Sequence, residues 1–557
     1  MTDSLLPDSL TRRTTISVAG SLFGRPGLQF PLPALRRSAA RRLAGLRTLE
    51  GLICLLVLAA LLADRLRLLT QFGFRYADED QALLWYAAEE AFHGRFHEPC
   101  FFGQSYKTTM EGLLAVPLYA LGVPLPYALP IVTSLLGLLP FVMVSILAWC
   151  RDQKKLAALL LLVPLVLPIP YAMVAAIPRG FVTGLACAAP AMLLFLTGRN
   201  PRHWFLAGLC GVLAITVNPN AVILLIAVGV FAILGRWRSL SFWGSMLAGA
   251  ALGSVAPLGI ATFYSDNPAY DLHRHPPLEF KGTLWHQAIA KLDLFMGPFV
   301  PWTQAHSGLG ALLILGGLAL VLLIVRQWRG AFALAAAGGA CVLALGVNRI
   351  HESGTSVFLS GSRMFLAIPV LYALGLFWAA QGLNRWHLHK AVSWCGFAAL
   401  GGLALLIVVP RHWAYHTEVR LALLDRTLQI YRTPECEHDA RLIAETAAAQ
   451  GTNMVVFTAE HDKTLVYAVP ALTAGRCETI FPGWDRRTWR LEEESRAVRP
   501  RTLIYFENRR ELWGRAVEQF PGHVELVSES PRIMAIEAPE MTALDVTRSL
   551  GIATRPY

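Results

Sequence analysis

Three adjacent acids, Asp78-Glu79-Asp80, stand just beyond the first long apolar run of this chain. Ionisable groups at a membrane boundary are costly unless they face water, pair, or bind an ion, and three consecutive acids cannot all pair locally. A carboxylate cluster at the mouth of a helical bundle suits a divalent cation held by hard oxygen ligands, or a general base beside a phosphate-bearing substrate. A solvated loop start fits the triplet as well. Further along the same loop, "FFGQSYKTTMEG" (Phe101 to Gly112) sets Tyr106, Lys107 and Glu111 above a second apolar segment. A lysine beside aromatic rings can hold a phosphate as a point charge, with Glu111 orienting it; a snorkelling interfacial lysine gives the same pattern. Arg363 lies inside an apolar run, where a guanidinium is expensive unless it meets an anion, so it reads as a phosphate or pyrophosphate ligand or as half of a structural ion pair with Glu352 or the triplet. In "YSDNPAYDLHRHPPLEF", His273 and His275 form a His-x-His pair with Asp266, Asp271, Glu279 and the later His286 nearby. That set is a weak metal candidate and reads more simply as surface histidines on a substrate-covering loop.

The elements that must position these residues are membrane helices. The chain has 557 residues, is 55% hydrophobic and 16% charged, and contains repeated apolar runs near the length that a roughly 30 Å hydrocarbon core requires. The net charge of +11 comes from short Arg/Lys clusters between apolar runs rather than from one basic stripe, which argues against nucleic acid and for membrane topology. Residues 1–47, with eight arginines and two acids, read as a basic cytoplasmic tail without a cleavable signal. Apolar spans are expected near 49–69, 126–149, 156–176, 181–198, 203–217, 221–235, 242–263, 308–325, 331–347, 357–380 and 391–410. Allowing for the short segment 110–123, an interfacial or re-entrant helix, the total is about eleven to thirteen transmembrane helices. The basic loops then sort to the cytoplasmic side. The acids, "PRG" at Pro178 to Gly180, the loop 264–306 and the C-terminus sort to the other side.

Beyond Pro410 the composition changes. Helical and strand periodicities alternate from Glu435 to Glu540, so the expected fold is a polytopic α-helical membrane domain (48–410, with outer loops 70–124 and 264–306) followed by a small extracytoplasmic α/β domain (411–557). Cys436 and Cys477, the only cysteines of that domain, form a disulfide or stay unpaired thiols. The remaining cysteines other than Cys100 fall in or beside apolar runs, where a thiol packs as a small hydrophobe.

At the quoted residues the chain resembles the GT-C membrane glycosyltransferases, and within them the protein O-mannosyltransferases and the lipid A aminoarabinose transferases. That group shows an acid-led pattern in its first outer loop, then Gly and Pro, then a Tyr and a Lys. Here Asp78-Glu79, Ala88-Glu89-Glu90, Gly94, Pro99 and Tyr106-Lys107 follow in that order, and Arg363 with Pro369 resembles a late-helix Arg and Pro. Thr108 and Thr109 replace two prolines, Met364 a tyrosine, and Arg179 stands where a second acid is common. The resemblance implies a GT-C fold and inverting transfer of a sugar from a polyprenyl-phosphate donor to a lipid, glycan or protein acceptor outside the cytoplasm of a bacterial inner membrane. It implies Asp78 as catalytic base with Glu79 beside it, Lys107, Arg363 and Arg179 as donor-phosphate ligands, and Asp80, Tyr106 and Glu111 in acceptor or supporting roles. A divalent cation is compatible with it, and no particular cofactor is implied. Two other readings share the hydropathy: a lipid-linked sugar flippase, and a glycan- or partner-binding protein with a degenerate site. Transporters usually keep their ionisable groups near the bilayer midplane on broken helices, whereas here they gather at one face.

Overall fold

Apolar runs of this length have one way to satisfy their backbone in lipid, which is to coil into helices. In the computed structural model, which describes residues 48–272, 279–301, 308–351, 361–383, 390–423, 430–458, 462–507 and 509–554, every expected span is mostly helical over its described residues. Leu125–Cys150, Leu240–Asp266, Gly361–Leu383 and Trp394–Leu421 are each long and apolar enough to cross a membrane. The protein is a membrane protein. Phe181–Thr197, Pro201–Val217, Ala221–Arg236, Gly308–Ile324 and Trp328–Ala344 are shorter apolar helices of 16 or 17 residues.

Two spans differ from expectation. The segment 156–176 is not one rod: Lys154–Val166 and Ile169–Ala176 meet at a 92° bend. Pro168 lies between them and, lacking an N–H and disfavouring helical backbone in the residue before it, ends the first helix and starts the second. The last span does not stop at Pro410 but runs as a 34-residue helix from Lys390 to Leu423. Arg411, one residue past that proline, donates to Asp64 Oδ1 at 2.5 Å and through Nε to the Leu167 carbonyl at 2.7 Å. The charges of the first and last long helices are thereby paired with each other, as burial in an apolar bundle demands.

Next to the bundle lies a layer built from the segment that follows Leu49–Leu68. Strand β1 (Tyr76–Ala77) leads into the Glu79–Phe92 helix, strands β2 (Cys100–Phe101) and β3 (Gln104–Thr108) form a hairpin, and Met110–Ala120 is a short helix. Strand β1 pairs antiparallel with β4 (Tyr431–Arg432), with Ala77 opposite Tyr431. The C-terminal region contains β5 (Met454–Phe457), β6 (Glu478–Ile480), β7 (Arg501–Tyr505), β8 (Val524–Glu529) and β9 (Arg532–Glu537) in the order β6-β5-β7-β9-β8. The first three are mutually parallel, and β9 runs antiparallel to β7 and to β8.

Alternation along these strands decides how the region docks. Val455, Phe457, Leu503, Tyr505, Ile533 and Ala535 face one side and share a core with Leu83, Leu84, Tyr86 and Ala88 of the Glu79–Phe92 helix. Met454, Val456, Ile504, Met534 and Ile536 face the other side and pack under Leu512, Ala516, Ala543 and Leu544. With both faces covered, the acid-bearing helix is part of the α/β core rather than an appendage of the bundle. Cys436 and Cys477 lie buried there as free thiols.

Candidate active site

Asp78 is the N-cap of the Glu79–Phe92 helix. Its Oδ1 accepts the Gln81 N–H at 3.0 Å, and Glu79 and Asp80 occupy the first turn. Carboxylates favour this position because the unpaired N–H groups of the first turn carry partial positive charge. One of the triplet's functions is therefore structural, and the cap holds the Asp78 side chain itself.

Cations arrive from three separate elements. Lys107 on β3 is 1% exposed and donates to Asp80 Oδ2 at 3.1 Å, its Nζ lying 3.8 Å from the centre of the Phe101 ring. Arg179, between Ile169–Ala176 and Phe181–Thr197, donates from Nε to Asp78 Oδ2 at 2.9 Å and also from Nη2; the same Nε is 3.8 Å from Asp80 Oδ2. Arg486, in the turn before the Thr488–Glu494 helix, donates from Nη1 to Asp80 Oδ1 at 2.9 Å. Its Nε is 3.0 Å from Glu79 Oε1, an ion contact too poorly aligned to be a hydrogen bond. Three carboxylates thus meet three cations. Burial pushes the Asp80 carboxyl up, but Lys107, Arg486 and Arg179 together outweigh it and hold it well below the usual range. Burial raises the Glu79 carboxyl by more than Arg486 lowers it.

Local backbone chemistry aims these groups. Gly180 has φ +78°, a left-handed conformation that costs a side-chain-bearing residue about 1–2 kcal/mol, and its carbonyl accepts from Asn218 Nδ2 at 2.9 Å. The resulting sharp turn presents Arg179 and starts the next helix, against the Lys107 side chain. The β2–β3 hairpin turns through Phe102 and Gly103 at positive φ, and the Glu98 carboxylate accepts the Gly103 N–H at 2.8 Å.

The expected residues divide accordingly. Asp78, Glu79, Asp80, Lys107 and Arg179 form one connected cluster. Tyr106 is adjacent, its ring centre 5.9 Å from Lys107 Nζ. Arg363 lies over the Phe181 ring at 4.5 Å, and Lys107 Nζ is 5.9 Å from the same ring. Glu111 is fully buried and accepts from Thr183 Oγ1 at 2.6 Å, one turn into the helix that follows Gly180. His273 and His275 lie outside the described residues. Among the described residues no group of three His, Cys, Asp or Glu could hold a metal ion. The oxygens of Asp78 and Asp80 already accept from protein donors, so a cation bound there has to displace Arg179, Lys107 or Arg486. Sequence reasoning misses Arg486. In "GWDRRTW" nothing local separates it from any surface arginine, and only the docking of the α/β region brings it to the acids.

The end of Leu240–Asp266 and the residues just after it pack against this region. Tyr264 Oη donates to Glu98 Oε2 at 2.6 Å, the Asp271 N–H donates to Thr488 Oγ1 at 2.9 Å, and His97 stacks on Trp489 at 3.9 Å.

No protein-family profile and no curated protein sequence matches the chain. Among solved structures it is similar to the crystal structure of ArnT from Cupriavidus metallidurans in the apo state, with TM-score 0.50 and 16% identity over 86% of this chain and 97% of that one. At that identity the likeness establishes the fold alone, which is that of ArnT.

Proposed function

We propose that the protein is an inverting glycosyltransferase that moves a sugar from a polyprenyl-phosphate donor to an acceptor outside the cytoplasm, with the carboxylate cluster on the extracytoplasmic side of an inner membrane. The observation that carries this reading is the convergence of Asp78, Lys107 and Arg179, from three separate elements, within an ArnT-like fold. In a single displacement the acceptor oxygen attacks the anomeric carbon, the bond from that carbon to the phosphate oxygen breaks, the acceptor proton passes to a carboxylate, and polyprenyl phosphate departs. Asp78 is assigned the proton, with Glu79 beside it. Lys107, Arg179 and Arg363 are assigned the phosphate, on which charge grows as the bond breaks. In the state described, Asp78 Oδ2 is held by Arg179, so donor phosphate competing for that guanidinium also frees the base. Tyr106 flanks the acceptor side, Asp80 supports the cations, and Glu111 supports the helix behind Gly180.

The test is release of free polyprenyl phosphate from a radiolabelled polyprenyl-phosphate sugar by purified protein. Asp78→Asn is expected to lower turnover by about 10²–10⁴ with folding retained, since the amide keeps the helix cap. Full turnover by Asp78→Asn removes the assignment of the base. Flipping of a fluorescent lipid-linked sugar in liposomes without transfer supports a transporter instead.

A further inference from the structure

We infer that Arg486, delivered by the C-terminal α/β region, is a phosphate-binding residue of this site, and that Asp80 occupies the phosphate position until a polyprenyl-phosphate ligand displaces it. The inference rests on the polyprenyl-phosphate reading above for its ligand, and on the geometry for its residue.

Asp80 accepts from Arg486 Nη1 on Oδ1 at 2.9 Å and from Lys107 Nζ on Oδ2 at 3.1 Å, with Arg179 Nε a further 3.8 Å contact on Oδ2. A carboxylate gripped from both oxygens by three cations is an unusually demanding arrangement for a helix-start acid. The same arrangement is what an anionic phosphodiester needs: one negative charge spread over two unesterified oxygens, met by a planar guanidinium and an ammonium. A carboxylate matches the charge of the diester donor but not that of the departing monoester, whose second charge develops as the sugar leaves. Three cations therefore favour the phosphate increasingly along the reaction, which is the condition for displacing Asp80 and for stabilising the transition state. The side chains of Asp80 and Arg486 are 14% and 20% exposed while those of Lys107 and Arg179 are 1% and 4% exposed, so the acid and Arg486 lie on the water side of the cluster and the acid can swing outward from the two buried cations.

The neighbouring arginine already anchors the docked turn without Arg486. Docking is the role of Arg487, which is fully buried, donates from Nε and Nη2 to Asp485 at 3.0 and 2.8 Å, and stands 4.9 Å over the Tyr86 ring of the acid-bearing helix. Asp485 Oδ2 in turn accepts the Phe481 N–H at 3.1 Å, and the Arg486 N–H donates to Tyr467 Oη at 3.1 Å. The turn is thus rigid without any help from the Arg486 side chain, which is left to reach the acids.

The experiment measures binding of a polyprenyl monophosphate to the full-length protein in nanodiscs by native mass spectrometry, with the matching polyprenol as the control for chain binding. Asp80→Asn, which removes the competitor, is expected to tighten monophosphate binding about tenfold, and Arg486→Gln to weaken it about tenfold, with polyprenol unchanged in both. In the Arg486→Gln background the gain from Asp80→Asn is expected to shrink. Unchanged or weaker monophosphate binding by Asp80→Asn overturns the inference, as does equal loss of monophosphate and polyprenol by Arg486→Gln. If Asp80→Asn does not fold, Glu79→Gln, which removes the ion contact to Arg486 Nε, is expected to tighten binding about threefold, and no change there overturns the inference. The assay involves no transfer, so absence of sugar release from any donor would count against the proposed function while the binding pattern still decides this one.

Discussion

Asp78 and Arg179 form the most buried ion pair of the site, 3% and 4% exposed, and the energetics of such pairs make a signed prediction possible. Replacing Arg179 by Met leaves the Asp78 carboxylate in place with the Gln81 N–H as its main remaining donor, and stranding a buried charge in this way costs about 3–5 kcal/mol. Replacing Asp78 by Asn is expected to cost less. The amide oxygen still caps the helix, Asn ranking with Asp as a cap, and Arg179 keeps Asp80 Oδ2 at 3.8 Å. The double variant removes both charges together, so it should be more stable than Arg179→Met alone, with a coupling of about 2 kcal/mol or more in the favourable direction. The assay is SDS-driven unfolding in mixed micelles followed by tryptophan fluorescence, comparing midpoints among variants of equal slope. Additivity within about 0.5 kcal/mol refutes the reasoning, because it means that the two charges are solvated separately in solution.

Burial pushes the Glu98 carboxyl up to about 7, against the lowering effect of the Tyr264 and Gly103 hydrogen bonds. A carboxyl raised on folding binds more protons in the native than in the unfolded state, so its contribution to stability is full at low pH and is lost as pH rises from about 4.5 to about 7. Glu98→Gln keeps an acceptor for both donors and should flatten that part of the stability profile; an unchanged slope shows that Glu98 is not its source. At Gly180, φ +78° makes Gly180→Ala cost about 1–2 kcal/mol although its Cβ meets Lys107 Cβ no closer than 3.6 Å. Because the turn aims Arg179, donor KM should rise in the same variant, and thermal stability and KM both unchanged would show that the turn tolerates a side chain.

Legibility in the sequence varies from element to element. The strands around "NMVVFTA" and "TLIYFE" are recognisable because two-residue alternation and β-branched runs are local properties, and both are β-strands of the five-stranded sheet. The expectation of one rod over 156–176 fails because hydropathy averages over Pro168, whose effect is a bend rather than an interruption of apolarity. The site shows the same division. Asp78, Lys107 and Arg179 stand out because charge beside an apolar helix is conspicuous in a sequence. Arg486 does not, since an arginine in a polar α/β segment looks like any surface residue.

Residue order by itself determined the class of protein, the helical runs, the α/β alternation and the charged residues worth watching, because hydrophobic length, periodicity and the cost of charge near lipid all act along the chain. Only the tertiary structure decided which charges meet. Lys107, Arg179 and Arg486 are separated from the acids by up to about four hundred residues of chain, the sequence separation of the Arg486–Asp80 bond. They reach them through a hairpin, a glycine turn and a docked sheet. Pairing of that range depends on the packing of both sheet faces and of the acid-bearing helix, and the apolar residues that drive it, such as Val455 and Leu84, carry no mark of the charges they bring together.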